Sequence, residues 1–156
     1  MIVVADTSPL NYLILIAEVD VLAPLYTSVV VPHSVAAELS EFRTPALVRT
    51  WIAQPPAWLA IAPDPPPDET LTALDPGERA AIALAVSLHA SRLLIDDADG
   101  RAEAERRSLQ VTGTLGVLAA AHQRGMLDFD KAVERLSSTS FYVSPRLLAT
   151  ARRLIY

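Results

Sequence analysis

The stretch "SRLLIDDADG" (91–100) decides the reading of this chain. Leu93, Leu94 and Ile95 run without a spacer into Asp96 and Asp97. An apolar run that lacks polar alternation fits a strand covered on both faces. Two adjacent carboxylates at the end of such a strand repel each other where water is scarce. The first residues, "MIVVADTSPL" (1–10), repeat the arrangement, with an apolar strand over 2–5 ending at Asp6. Working outward, "SVVV" (28–31), closed by Pro32, and "LQVTG" (109–113) read as further short strands, and "FYV" (141–143) as a possible last one. Helical stretches alternate with them, at 9–17, 19–25, 33–42, 45–54, 74–90, 99–108, 115–124, 130–137 and from 145 onward. Short apolar strands alternating with helices predict an α/β fold, a mostly parallel central sheet with helices on both faces. Ligands of such sheets bind beyond the carboxyl ends of the strands, where Asp6, Asp96 and Asp97 fall.

The helix starts are marked. Pro9 suits a first helical position with Ser8 as its cap, and "LDPGERAAIALAVSLHA" (74–90) places Asp75 as cap, Pro76 at the first position and Glu78 three residues after the cap. Asp99 is expected to open the helix after the Asp pair, and Gly125 to stop the one over 115–124. The proline-rich "PDPPPDE" (63–69) reads as an extended connector inside one domain spanning 1–156, because neither flank has elements enough for its own core.

Bulk composition narrows the function classes. Half of the 156 residues are hydrophobic, which argues against disorder. No apolar run reaches the roughly 18 to 20 residues of a membrane helix, and the N-terminal residues lack the basic flank of a secretory signal. The absence of cysteine excludes disulfides and thiolate metal sites and fits a cytoplasmic protein. A net charge of −5 opposes a generic electrostatic hold on nucleic acid. The cations are twelve Arg and one Lys, a choice that composition bias explains as well as phosphate binding does.

Four segments can carry carboxylates to one sheet edge: Asp6, Glu38, Glu78 and the Asp96–Asp97 pair. Several carboxylates in one place require a counter-charge, and hard divalent cations such as Mg²⁺ or Mn²⁺ take oxygen ligands. The chemistry implied is metal-assisted cleavage of a phosphodiester. Each acid also has a structural role open to it. Asp6 can end its strand, Glu38 can be a solvated helix acid, and Glu78 can complete a capping box with Asp75. One of Asp96 and Asp97 can cap the next helix. Convergence, rather than any single acid, carries the functional reading.

Five ordered blocks resemble PIN-domain proteins, and more narrowly the VapC-like nucleases: "DTSPL" at 6–10, P-x-x-V-x-x-E at 32–38, "LDPGERAAIALA" at 74–85, "LLIDD" at 93–97 and "TGTLGVL" at 112–118. The resemblance implies a three-layer fold and a Mg²⁺- or Mn²⁺-dependent ribonuclease site. Carried over by position, Asp6, Glu38 and Glu78 are the first three acids, and Asp96–Asp97 supplies the fourth, with the spacing slightly favouring Asp97. Asp6, Glu78, Asp96 and Asp97 are the expected metal ligands. The third acid is Glu where the family more often has Asp, and the fourth is doubled. Ser8 is a candidate water or phosphate contact, Thr112 and Thr114 candidates along the same edge, and Arg101 a candidate phosphate contact, with an ion pair to Glu105 as its structural alternative. Arg146, Arg152 and Arg153 are either an RNA grip or solvated surface. His33, His89 and His122 lack metal-ligand spacing and read as structural.

The resemblance implies a metal-dependent endoribonuclease, the toxin of a toxin–antitoxin pair, with an RNA substrate, an antitoxin partner and a homodimeric state in which the aliphatic helices over 9–25 are shared or else core. The alternative is a PIN-like binding or scaffold protein without catalysis. A receiver-like or phosphatase-like domain requires a D-x-D nucleophile motif, and "DTSP" lacks its second acid.

Overall fold

Successive strand residues point to opposite faces, so a strand buried at every position must be covered on both sides. Val3, Val4 and Ala5 of β1 (Val3–Ala5) are all fully buried, as are Leu93 and Leu94 of β4 (Arg92–Leu94). The computed structural model describes residues 1–156 and joins these two strands to β2 (Val29–Pro32), β3 (Leu59–Ala62) and β5 (Val111–Thr112) in one sheet. The order is β3-β2-β1-β4-β5 and every pairing is parallel. From β1 the chain steps through β2 to β3 on one side, then returns through β4 to β5 on the other. The topological switch point therefore lies between β1 and β4.

Nine helices flank the sheet: α1 (Thr7–Leu15), α2 (Leu22–Tyr26), α3 (His33–Leu39), α4 (Ala46–Ala53), α5 (Pro76–Ser87), α6 (Ala98–Arg106), α7 (Thr114–Gln123), α8 (Phe129–Ser137) and α9 (Pro145–Ile155). Helix α5 lies against β1, β2 and β4 and touches α3 and α6, while α1, α2, α8 and α9 all pack on α7. This is the three-layer α/β fold expected from the alternation of elements. The sheet takes strands from both sides of the proline-rich connector. No helix is long and apolar enough to cross a membrane.

Local departures have physical causes. Strand β3 escapes detection because its "LAIA" sits at the sheet edge, with Ala60 and Ile61 exposed, and carries no buried run. Residues 141–143 form no strand and lie against α1 instead, where Phe141 meets the Tyr12 ring edge-on at 5.0 Å. Asp6, not Ser8, occupies the cap position of α1, because the helix already begins at Thr7, which puts Ser8 inside it and Pro9 third rather than first. Helix α6 starts at Ala98 with Asp97 as its cap, one residue earlier than an Asp99 start. Most aliphatic side chains of 9–25, including Leu10, Leu13, Ile14 and Leu22, are buried within the chain itself.

Candidate active site

The register that sets Ala5 opposite Leu94 brings the two strand-end acids, Asp6 and Asp96, to adjacent positions at the switch point, and the Asp6 N–H donates to Leu94 O at 2.8 Å. Asp6, Glu38, Asp75, Glu78, Asp96 and Asp97 all line one open pocket of about 610 Å³ there, with Ser8, Thr7 and a single cation, Arg43. Six acids against one guanidinium leave it short of counter-charge. The acids are held in different ways.

Asp96 is fixed by three donors. The Thr114 N–H and hydroxyl both donate to it at 2.7 Å, and so does the Ser8 hydroxyl, also at 2.7 Å. It thus ties α1 to the start of α7, and it is the member of the pair that belongs to the switch point. Asp97 accepts from Gly100 N at 2.8 Å as the cap of α6, although its side chain still borders the pocket. The two adjacent acids divide the work: one crosslinks, one caps.

Glu38 is anchored from both sides. The Thr7 hydroxyl donates to its Oε2 at 2.5 Å, and the Gly77 N–H, at the start of α5, to its Oε1 at 3.0 Å. A carboxylate at a helix N-terminus is favoured by the dipole and by the free N–H groups. Only glycine permits the approach, since a Cβ on residue 77 would lie 2.4 Å from Glu38 Oε1. Burial raises the Glu38 carboxyl, against the pull of the Thr7 bond and with the Asp75 charge reinforcing it.

Glu78 and Asp6 are the two acids without a complete set of partners. Asp75 caps α5 by accepting from Glu78 N at 2.8 Å, but Glu78 Oε2 is buried and unpartnered, so the capping box is not closed by a return bond from that oxygen. Burial, followed by contact with the Asp75 and Asp97 carboxyls, pushes Glu78 up to about 9. Asp6 is only 4 % exposed and its Oδ1 has no partner. Burial pushes it up to about 7, opposed by the nearby Thr7 N–H and reinforced by the charges of Asp75, Glu38 and Asp96. An unsatisfied buried carboxylate oxygen is a costly arrangement, of order 1–3 kcal/mol or more. Two in one pocket, within an all-oxygen donor set, fit a hard divalent cation. No three acidic or imidazole groups of the chain are drawn together into a ready-made ion cage.

The remaining candidates separate. Ser8 lines the pocket, and Thr114 is fully buried beneath Asp96. Arg101 and Thr112 lie in a neighbouring cavity that shares Asp96 and Phe141 with the pocket, and Thr112 there accepts from Arg92 at 2.5 Å. The alternative pairing of Arg101 with Glu105 does not form, as neither takes part in any of the five ion pairs. Among the terminal arginines, Arg152 pairs with Asp130 at 2.8 Å. His122 accepts from Phe129 N at 3.0 Å, a structural contact, and no histidine lines the pocket.

Thr7, Asn11, Arg43 and Tyr142 also border the pocket without having been singled out from the sequence. Thr7 and Asn11 had a legible signal, being one and five residues after Asp6 on the face of α1 that leaves the sheet edge. Arg43 and Tyr142 had none, because loops bring them there.

No curated protein and no solved structure matches the chain significantly. A family model described as PIN domain matches residues 2–156, nearly the whole length. With its all-parallel sheet and its acids gathered at the switch point, the chain belongs to the PIN-domain family, whose members are generally nucleases that use divalent metals.

Proposed function

We propose that this chain is a metal-dependent endoribonuclease and the toxin of a toxin–antitoxin pair, built as a single domain. The observation that carries the catalytic part is the pair of buried, unpartnered carboxylate oxygens, Asp6 Oδ1 and Glu78 Oε2, in a pocket of six acids. Asp6, Asp96, Glu78 and Asp97 would hold Mg²⁺ or Mn²⁺. Such an ion, when bound, polarises a phosphoryl oxygen and increases the acidity of water. The choice of RNA and the toxin role are supported by the resemblance to VapC-like proteins, not by geometry.

The chain's own residues supply positioning. Ser8 and Thr114 fix Asp96, and Thr7 and the Gly77 N–H fix Glu38, so two pocket walls are set before substrate arrives. In the reaction, water oxygen bonds to phosphorus as the P–O3′ bond breaks. The water's proton passes to a pocket carboxylate and from there to the departing 3′-oxygen, leaving 5′-phosphate and 3′-hydroxyl ends. With a net charge of −5, RNA binding must rely on local arginines and on the ion, and it weakens with salt. An antitoxin that places a basic side chain among the six acids would compete for the same carboxylates.

Two observations favour the alternative of a PIN-like binding module: Asp96 already has three donors, and no ion cage is preassembled. RNA cleavage in Mn²⁺ by the wild type and by Asp6→Asn decides between them. Cleavage that is lost in Asp6→Asn, together with Mn²⁺ binding that weakens in calorimetry, supports the enzyme. Mn²⁺ binding and RNA binding with no cleavage in the wild type supports the module.

A further inference from the structure

We propose that the cavity beside the acid pocket is a nucleotide subsite, taking the nucleotide next to the bond that is cut, with its base inside and its phosphate at Arg101. The inference rests on the nuclease function proposed above and gives that function a substrate-positioning element. The cavity measures about 400 Å³ and is walled by Leu115, Leu147, Ala151 and Leu154, between α7 and α9 at the β5 edge of the sheet. Its volume lies within the roughly 300–1,000 Å³ of small-ligand sites, where a mainly apolar lining with a few convergent polar groups is the rule.

Two guanidiniums supply the polar groups. Arg101 is half-buried and its guanidinium takes part in no ion pair or hydrogen bond, and Arg92 donates its one side-chain bond to the neutral Thr112 hydroxyl. Half-buried arginines without an acid partner, in a chain with eighteen acids, leave room for an external anion. An apolar wall beside free guanidiniums suits a flat base carrying a phosphate. The cavity also joins the acid pocket. A Cβ on Gly113 would lie 2.8 Å from Arg101 Nη1 and 2.9 Å from Asp96 Oδ1, so the phosphate-binding group and the pocket acid meet over one glycine. Phe141 and Asp96 line both spaces, which makes them consecutive stations along one strand of nucleic acid.

The test reads binding, not cleavage. Uridine and adenosine 5′-monophosphate are titrated into the full chain without divalent cation, by calorimetry and by NMR. The wild type, Arg101→Gln, Thr150→Trp and Lys131→Gln are compared. Thr150 is exposed at the cavity wall, so the larger side chain obstructs the cavity without disturbing the core, whereas Lys131 is exposed and outside it. The expected result is saturable binding that weakens at least tenfold in Arg101→Gln and in Thr150→Trp and is unchanged in Lys131→Gln. Absence of nucleotide binding in the wild type, or binding that survives either cavity variant, overturns the subsite. Hydrolysis of bis(p-nitrophenyl) phosphate with Mn²⁺, measured alongside, reports the acid pocket alone. Nucleotide binding without diester hydrolysis counts against the nuclease reading and leaves the cavity's ligand intact, while hydrolysis without nucleotide binding does the reverse.

Discussion

Two groups of acids in this chain are governed by opposite electrostatics. On the surface of α6, Arg107 donates to Glu103 Oε2 at 2.9 Å, to Asp68 Oδ2 at 3.3 Å and to the Thr70 hydroxyl at 2.8 Å. The Thr70 hydroxyl and N–H, followed by Arg107, hold Asp68 below the usual carboxylate range, and the Arg107 bond does the same for Glu103. In the switch-point pocket, Asp6, Glu38 and Glu78 are all pushed up, burial being the largest cause in each case. All five ion pairs of the chain lie outside that pocket. The same residue type thus serves stability where a cation is supplied internally, and is pushed toward its neutral form where it is not. Acids held in that way are a mark of functional sites, and in the function proposed above the missing cation comes from solution.

The strongest way to break this contrast is Asp6→Asn. If Asp6 serves a bound ion, cleavage of RNA in Mn²⁺ falls by about 10³-fold, a transition-state loss of roughly 4 kcal/mol, while the metal-free variant is at least as stable as the wild type at pH 8–9. A variant that keeps cleaving and loses stability would place Asp6 with the structural acids.

The doubled Asp sharpens it next. Asp96→Asn removes a pocket charge held by three donors and is expected to lower cleavage about 10²-fold. Asp97→Asn retains a good helix cap, so melting temperature stays within a degree or two and cleavage falls no more than about tenfold. Equal losses in steady-state assays would mean that the two carboxyls hold the ion equally, rather than Asp96 carrying most of it.

The pH dependence of the metal-free chain follows from the raised carboxyls. Between its ordinary value of 3.8 and about 7, Asp6 is protonated in the folded chain but ionised in the unfolded one, and Glu78 extends the window to about 9. The folded state binds more protons throughout, so stability falls as pH rises through this window and levels off above it. The Asp6 contribution is of order 2–4 kcal/mol. Urea unfolding in a chelator at pH 5, 7 and 9 reads it, and added Mn²⁺ should return stability at high pH. A flat profile would remove the electrostatic half of the comparison.

Much of this was legible in the sequence, and the boundary is instructive. Strand ends read well, because three or four apolar residues running into an acid leave one place for the acid to go. That is why Asp6 and Asp96 were found as neighbours although ninety residues of chain separate them. The paired function of "DD" was not legible, since choosing which Asp caps α6 requires the direction in which the chain leaves β4. The register and helix start resolve it in favour of Asp97 as cap. Gly77 was visible only as part of a helix start. Its tolerance of Glu38 at 3.0 Å is a tertiary fact, set by α3 packing against α5 and bringing Glu38 to that helix's start. Gly77→Ala therefore makes a smaller test of the site. Alanine favours the helix by up to about 1 kcal/mol, but its Cβ displaces the Glu38 carboxylate from its two donors. Unchanged or higher melting temperature with cleavage reduced about tenfold is the expected pairing. Cleavage at the wild-type rate would show that Glu38 need not sit on α5.

The smallest effect belongs to the surface cluster, and its smallness is what gives the contrast meaning. Arg107 joins two carboxylates and a hydroxyl, yet its charge is partly exposed and its acids lie near solvent. Water screens such pairs, and holding three side chains in one arrangement offsets much of the gain. Removing it by Arg107→Gln should lower stability by less than about 1 kcal/mol. The effect should shrink further in 0.5 M salt, and cleavage should not change. Asp68 and Glu103 lose their depressed state in this variant, which NMR titration of the carboxyl carbons detects directly. A large loss of activity in Arg107→Gln would mean that the two acid groups communicate through α6, from Arg107 at its end to the Asp97 cap at its start. In that event helix position, rather than local charge, would set the pocket's electrostatics.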